Sequence, residues 1–173
     1  MRFGKTGWLA LALLIIGFLA EGSLAGAVGA GADSGPDPAD ILVEIFLAAD
    51  QKPNLETIKK EFASFRIVKV RAKFFTLGHP PENIAIGRHV SAPVARLAIR
   101  LARTYNGGVT LLLPGKRLAA DYLAIGTSIF DESFQVPISP DELERLADPS
   151  LTTEQFHELY RQLAKEDQPR YSR

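Results

Sequence analysis

The chain has 173 residues, of which 46% are hydrophobic and 23% are charged, a composition typical of a globular domain rather than of a disordered or fibrous chain. Cysteine is absent, which excludes a disulfide framework, thiolate metal sites, a thiol nucleophile and cysteine lipidation. Twenty basic side chains balance twenty acidic ones, so the net charge by itself indicates no nucleic-acid or membrane partner.

The first thirty residues have the layout of a secretory signal peptide. Arg2 and Lys5 precede an uncharged run over residues 8–20, and small residues suited to signal peptidase follow. As a helix this run would rise about 20 Å, which is short of the ~30 Å hydrocarbon core of a membrane. We therefore predict a signal peptide over residues 1–30 and a linker over residues 31–39. An uncleaved helix anchored in the inner membrane is the alternative.

Strands and helices are predicted to alternate in the first half of the folded part. Residues 41–47 are a short apolar run rich in strand formers, and an amphipathic helix is predicted to begin at Asn54. Residues 66–76 alternate apolar and basic side chains, which predicts a half-exposed strand. After a turn with two prolines, residues 84–90 are predicted to return as the second arm of a hairpin.

The second half is predicted to contain a long helix, two strands and two short helices. Ser91 stands at the N-cap position of the long helix, and strands are predicted over residues 109–113 and 122–126. Ser139 and Thr152 each begin a capping-box sequence, with Glu or Gln three residues later. Two helices are therefore predicted to finish the chain.

The order strand, helix, strand, strand, helix, strand matches an α+β fold, the ferredoxin-like (split βαβ) plait. We predict a core domain over residues 40–138, built as this plait with an added strand. Residues 139–173 are predicted to form a C-terminal helical appendix. A small three-layer α/β sheet is the alternative.

The charges are distributed unevenly along the chain. Between Lys52 and Arg117, thirteen basic side chains stand against three acidic ones, whereas from Leu118 to the end eleven acids stand against five bases. Three basic residues share one strand face, three share one helix face, and three more adjoin turns at strand ends. These predicted ligand-binding residues are Lys69, Arg71 and Lys73 (the strand row), Arg96, Arg100 and Arg103 (the helix row), and Arg88, Lys116 and Arg117 (the turn cations).

The predicted function is that of an exported, periplasmic or extracellular, non-enzymatic binding module. Its cationic face would recognise an anionic envelope polymer or head group, or an envelope protein. Cytosolic nucleotides are excluded by export, nucleic acid is disfavoured because no aromatic platform accompanies the basic rows, and no cofactor is predicted. The alternative interpretation is that the acidic C-terminal helices fold back over part of the basic block.

Signals for catalysis or metal binding are weak, and neither a catalytic nor a metal site is predicted. The second functional hypothesis is a small periplasmic hydrolase that uses His89 with Asp131 or Ser128. His79, His89 and Glu82 would make a metal set only if the hairpin brought them together. His157 is expected to face solvent.

Overall fold

The computed structural model describes residues 37–76, 78–129 and 132–166 of the chain. The predicted signal peptide and most of the predicted linker lie outside the described residues. Within the described ranges, no helix is long and apolar enough to cross a membrane. The strands and helices, in chain order, are Leu42–Ala48 (β1), Leu55–Ala63 (α1), Lys69–Phe75 (β2), Asn83–Ile86 (β3), Ala92–Tyr105 (α2), Leu111–Leu113 (β4), Tyr122–Ile125 (β5), Val136–Pro137 (β6), Pro140–Ala147 (α3) and Thr153–Leu163 (α4).

The six strands form one mixed sheet in the order β2-β1-β5-β3-β4-β6. β1 pairs in parallel with β2 and with β5, and β3 pairs in parallel with β4. The pairs β3–β5 and β4–β6 are antiparallel. Strands β3 and β4 therefore finish where β1, β2 and β5 begin. We call this end of the sheet the β3 end, and the opposite one, where β1, β2 and β5 finish, the β1 end.

All four helices contribute to a core on one face of the sheet. The alternate β1 residues Val43, Ile45 and Leu47 point into this core and are at most 1% exposed. α2 lies at its centre, with eight buried residues. The core also holds residues of the C-terminal helices, Leu143, Leu146, Phe156 and Tyr160. Residues 139–173, predicted as an appendix, thus supply part of the same hydrophobic core.

The mixed α and β class is confirmed, but the strand order differs from that of the ferredoxin-like plait. β2 and β3 do not pair in the predicted hairpin, because β2 pairs with β1 and β3 lies between β5 and β4. Side-chain pattern gives the physical reason. β3 is buried along its whole length, as suits a central strand, whereas β2 alternates exposed and half-buried residues, as suits an outer one.

Local sequence signals mark the helix starts correctly. Both predicted capping boxes form: Ser139 and Glu142 exchange side-chain to backbone hydrogen bonds, as do Thr152 and Gln155. Ser91 is the N-cap residue of α2, although its side chain makes no capping hydrogen bond. The short strand β6 was not predicted.

Candidate functional site

A pocket of about 540 Å³ lies at the β3 end of the sheet. Its walls come from the segments that follow β3 and β4 and from one face of α4. The carboxyl ends of parallel strands are a common place for ligands in α/β sheets, because the loops diverge there and leave a crevice. The pocket is lined by Ile86, Arg88, Gly115, Lys116, Leu118, Ala120, Glu154, His157, Glu158, Tyr160, Arg161 and Glu166.

Two of the three predicted turn cations, Arg88 and Lys116, line this pocket. Arg88 follows β3 and Lys116 follows β4, so the parallel pairing of these strands brings the two side chains to the same end of the sheet. Neither side chain forms an ion pair with any described residue. Arg117, the third turn cation, lies elsewhere, with its guanidinium 3.8 Å from the ring centre of Phe134.

Glu166 forms a fixed carboxylate in the wall of the pocket. It is 7% exposed, and its Oε1 accepts backbone N–H bonds from Gly115 and, at 3.3 Å, from Lys116. Arg161 and Glu158, also in the wall, pair with each other. Glu154, the remaining carboxylate of the lining, accepts hydrogen bonds from its own backbone N–H and from Thr152. The lining thus has three carboxylates and three cations, and of the cations only Arg88 and Lys116 have no ion-pair partner among the described residues.

His157 is half-buried in the same pocket, so the expectation that it faces solvent is wrong. Its Nε2–H donates to the carbonyl oxygen of Val90 at 2.7 Å, which fixes the tautomer of the neutral ring. Burial lowers the pKa of His157, and the hydrogen bond to Val90 opposes this shift only in part. The imidazole is therefore neutral at pH 7.

The buried histidine makes the stability of the fold depend on pH. Because the pKa of His157 is lower in the folded protein than in the unfolded chain, the unfolded chain binds more protons as the pH falls. The free energy of unfolding is expected to decrease on going from pH 7 to pH 5, and His157→Gln should flatten this dependence in urea titrations at both pH values. His79→Gln, in an exposed loop, is the control. An unchanged pH slope in His157→Gln would count against this assignment.

The helix row is engaged within the protein. Arg100 pairs with Glu61 of α1, and Arg103 pairs with Glu144 of α3 at 2.8 Å. Arg96 donates to the carbonyl oxygens of Asp148 (3.1 Å) and Leu151 (3.3 Å), just after α3. Of the three arginines, Arg103 pairs with an acidic side chain of a C-terminal helix, as the alternative interpretation of the basic block expects. Arg100 pairs instead with an acid of α1, and Arg96 binds backbone carbonyl groups.

The strand row lies on the sheet face opposite the helices and is partly paired. Lys69 contacts Asp40 at 3.1 Å, and Lys73 lies 3.7 Å from Glu44 with its ammonium 4.9 Å from the centre of the Phe46 ring. Glu44 also accepts a hydrogen bond from the Tyr122 hydroxyl at 2.8 Å. Arg71 has no ion-pair partner among the described residues. Among the nine predicted ligand-binding residues, the structure therefore brings Arg88 and Lys116 together in the pocket at the β3 end. The three helix-row arginines line a separate concavity, where each already has a partner within the protein.

His89 has a different acidic partner from those considered in the sequence. Its Nδ1–H donates to Asp121 at 2.7 Å. Ser128 follows β5 and therefore lies at the β1 end. The backbone N–H of His89 donates to the carbonyl oxygen of Ala120, which precedes β5, so the length of β5 separates His89 from Ser128. Asp131 lies outside the described residues.

The set His79, His89 and Glu82 is not assembled, because β3 separates His79 and Glu82 from His89. Within residues 37–76, 78–129 and 132–166, no group of three or more histidine, aspartate or glutamate side chains is arranged to hold a metal ion.

Three residues of the pocket, His157, Tyr160 and Glu166, had no functional signal in the sequence. Tyr160 belongs to a predicted amphipathic stripe, but nothing in its spacing shows that α4 covers the ends of β3 and β4.

Comparison of the chain with family models, with curated proteins and with solved structures finds no match.

Proposed function

We propose that the protein is an exported, non-enzymatic binding module that holds the anionic head group of an envelope component in the pocket at the β3 end. The observation that carries the proposal is that Arg88 and Lys116 come from separate loops, line one pocket and have no carboxylate partner among the described residues. Guanidinium and ammonium groups are the usual protein donors to phosphate and carboxylate groups.

The dimensions of the pocket favour a head group over an extended polymer. A volume of about 540 Å³ lies within the range of sites that take small ligands, and the walls include apolar groups from Ile86, Leu118 and Tyr160 beside the charged ones. A ligand with an anionic group and a short apolar or glycerol-like body would match both kinds of wall.

Export supports the proposal from the sequence side. The signal-peptide layout of residues 1–30 would deliver the folded part to the periplasm or outside the cell, where anionic envelope components are abundant and cytosolic nucleotides are not. An uncleaved N-terminal helix would hold the module at the inner membrane, near the same ligands.

The test is a titration of the protein with glycerol 3-phosphate, using glycerol as the uncharged probe. Binding is expected for the phosphate only, and it should weaken as salt is added, because the charges are exposed to solvent. Arg88→Ala and Lys116→Ala should each weaken binding by about tenfold, the effect of removing one charge-assisted hydrogen bond.

Arg103→Gln provides the matched control. It removes an arginine that already pairs with Glu144 of the same protein, so binding should stay unchanged. Because this is a surface ion pair, stability should fall by about 1 kcal/mol at most. Equal weakening in Arg103→Gln, or no binding of the phosphate at low salt, would refute the proposal.

The contact between His89 and Asp121 favours a second candidate function, hydrolysis. Asp121 orients the imidazole through Nδ1, which leaves Nε2 as the nitrogen that would take a proton from an attacking water. This hydrolase would lose turnover of an ester probe in His89→Ala while still binding glycerol 3-phosphate. A binding module has no turnover to lose.

A further inference from the structure

The pocket at the β3 end has two walls of different chemistry. The loops after β3 and β4 form the loop wall, which carries the cations Arg88 and Lys116. One face of α4 forms the α4 wall, where Glu154, His157 and Arg161 stand three and four residues apart. If the loop wall holds the anionic group, as the proposed function requires, the α4 wall faces the rest of the ligand.

The imidazole of His157 is held in one orientation in the α4 wall. Its Nε2–H donates to the carbonyl oxygen of Val90 at 2.7 Å, and its ring meets that of Phe156 edge-on, with 5.5 Å between the ring centres. A carbonyl oxygen can only accept a hydrogen bond, so the hydrogen of the neutral ring is on Nε2. Nδ1 therefore carries a lone pair and acts as an acceptor.

Nδ1 of the same ring is available to a ligand. The ring makes its hydrogen bond through Nε2, and no donor to Nδ1 is found in the part of the chain that the structure describes. In that part, the buried side-chain nitrogen and oxygen atoms that lack a partner belong to Asn83 and Asn106, so Nδ1 keeps an accessible surface. Because His157 lines the pocket, a ligand would meet the ring at this atom.

The groups around His157 decide which kind of ligand atom suits Nδ1. Burial lowers the pKa of His157, the hydrogen bond to Val90 and the nearby Glu166 and Glu154 oppose this shift in part, and His89 adds to it, so the ring is neutral at pH 7. An anionic oxygen beside Nδ1 would meet a lone pair and the negative field of two carboxylates. A group with a hydrogen to donate would be attracted by both.

We propose that the ligand of this pocket carries a hydrogen-bond donor beside its anionic group, and that Nδ1 of His157 accepts this bond. The assignment rests on the proposed function, because the anion must lie on the loop wall for a hydroxyl or amino substituent to lie on the α4 wall. A plain alkyl phosphate has no such donor and would cover Nδ1 without giving it a partner, which costs binding free energy. His157 is thus a specificity-determining residue of the proposed anion site.

The test compares three small phosphates in calorimetric titrations of the full chain at pH 8, where the phosphate group of each is ionised. Glycerol 3-phosphate offers hydroxyl groups, O-phosphoethanolamine offers an ammonium group, and n-propyl phosphate offers no donor. At least one of the two donor-bearing probes is expected to bind about fivefold more tightly than n-propyl phosphate, the effect of one hydrogen bond. Equal affinities for all three would overturn the proposal.

Two further comparisons identify the donor and its source. The tighter of the two donor-bearing probes shows whether the donor is an O–H or an N–H group. Vesicles of phosphatidylglycerol or of phosphatidylethanolamine, which present the same two groups, then distinguish a lipid head group from a free phosphate. Co-sedimentation of the protein with the matching vesicle assigns the lipid, and binding of the soluble probe alone assigns the free form.

Replacement of His157 by phenylalanine locates the selectivity. His157→Phe keeps an aromatic ring and removes the acceptor, so the donor-bearing probe should lose its advantage while n-propyl phosphate binds as before. His79→Phe, in an exposed loop at the β1 end, is the matched control and should keep the advantage. An advantage that persists in folded His157→Phe would overturn the proposal.

Nitrogen-15 NMR of the wild-type imidazole gives a readout that does not depend on the folding of a variant. The donor-bearing probe is expected to move the Nδ1 signal by the small upfield shift typical of hydrogen-bond acceptance, and n-propyl phosphate to leave it in place. An Nδ1 signal at the position of a protonated nitrogen would show that the ring donates to the ligand, and would overturn the proposal. If no probe binds, the proposed function fails together with this assignment, whereas equal binding of all three refutes only the role of His157.

Discussion

Replacement of Tyr160 by alanine is expected to lower the free energy of unfolding by about 4 kcal/mol, in the range found when large aromatic core residues are truncated. Tyr160 is 2% exposed, and its ring is stacked on that of Phe156 with 6.2 Å between the centres. Its hydroxyl donates to the carbonyl oxygen of Leu113 at 2.6 Å, and the carbonyl oxygen of Ile84 is 3.2 Å away. One side chain therefore joins α4 to both β3 and β4.

Urea unfolding of Tyr160→Ala measures this loss of stability, and Tyr160→Phe separates the contribution of the ring from that of the hydroxyl group. Because burial raises the pKa of Tyr160, the hydroxyl stays protonated and remains a donor at all ordinary pH values. The phenylalanine variant keeps the ring and loses the donor, so it should cost about 1 to 2 kcal/mol. A loss of less than about 1 kcal/mol in Tyr160→Ala would show that α4 does not depend on this residue.

Gly87→Ala is expected to destabilise the protein by about 3 kcal/mol, at the upper end of the usual cost of overpacking. A Cβ at position 87 would lie 2.4 Å from the carbonyl oxygen of Ala120 and 2.5 Å from that of Ala119, with Tyr122 O 2.8 Å away. All three atoms belong to the backbone, which cannot rotate aside as a flexible side chain can. The N–H of Gly87 also donates to Tyr122 O at 2.8 Å, so the two segments are held at this distance.

Thermal or urea unfolding tests this substitution, with Gly78→Ala as its control. Gly78 has a positive φ of 77°, but a Cβ at this position would meet no atom within 4 Å, so its replacement should cost only the backbone penalty of about 1 to 2 kcal/mol. Since Arg88 follows Gly87, any folded Gly87→Ala protein should also bind the anionic probe more weakly. A stability loss no greater than that of Gly78→Ala would contradict the steric argument.

The elements with strong local patterns were predictable from the sequence. α2 was predicted as a long helix with Ser91 at its N-cap position, and the capping boxes at Ser139 and Thr152 located the starts of α3 and α4. Strand pairing was less predictable, because the alternation in residues 66–76 fits an arm of a hairpin and an outer parallel strand equally well. The choice between them depends on which strand is the neighbour, which is a tertiary property.

The candidate site was predictable only in part, because its assembly also depends on tertiary contacts. Arg88 lies near the end of the predicted strand 84–90 and Lys116 follows the predicted strand 109–113, so their meeting at one end of the sheet required only that β3 and β4 pair in parallel. The wall contributed by α4 and Glu166 was not predictable, because its contacts with residues 113–116 span a long stretch of chain without any local pattern. Asp121 was likewise missed as the partner of His89, because no spacing rule links the two residues.

Strand β2 has one more consequence, for how copies of the protein behave toward each other. Its outer edge is seven residues long and carries Lys69, Arg71 and Lys73, so a second copy adding antiparallel there would set ammonium and guanidinium groups against one another. At the far side of the sheet, β6 has two residues and one is Pro137, which has no N–H to offer a new strand. Both borders of the described sheet therefore oppose the addition of a strand from a second copy.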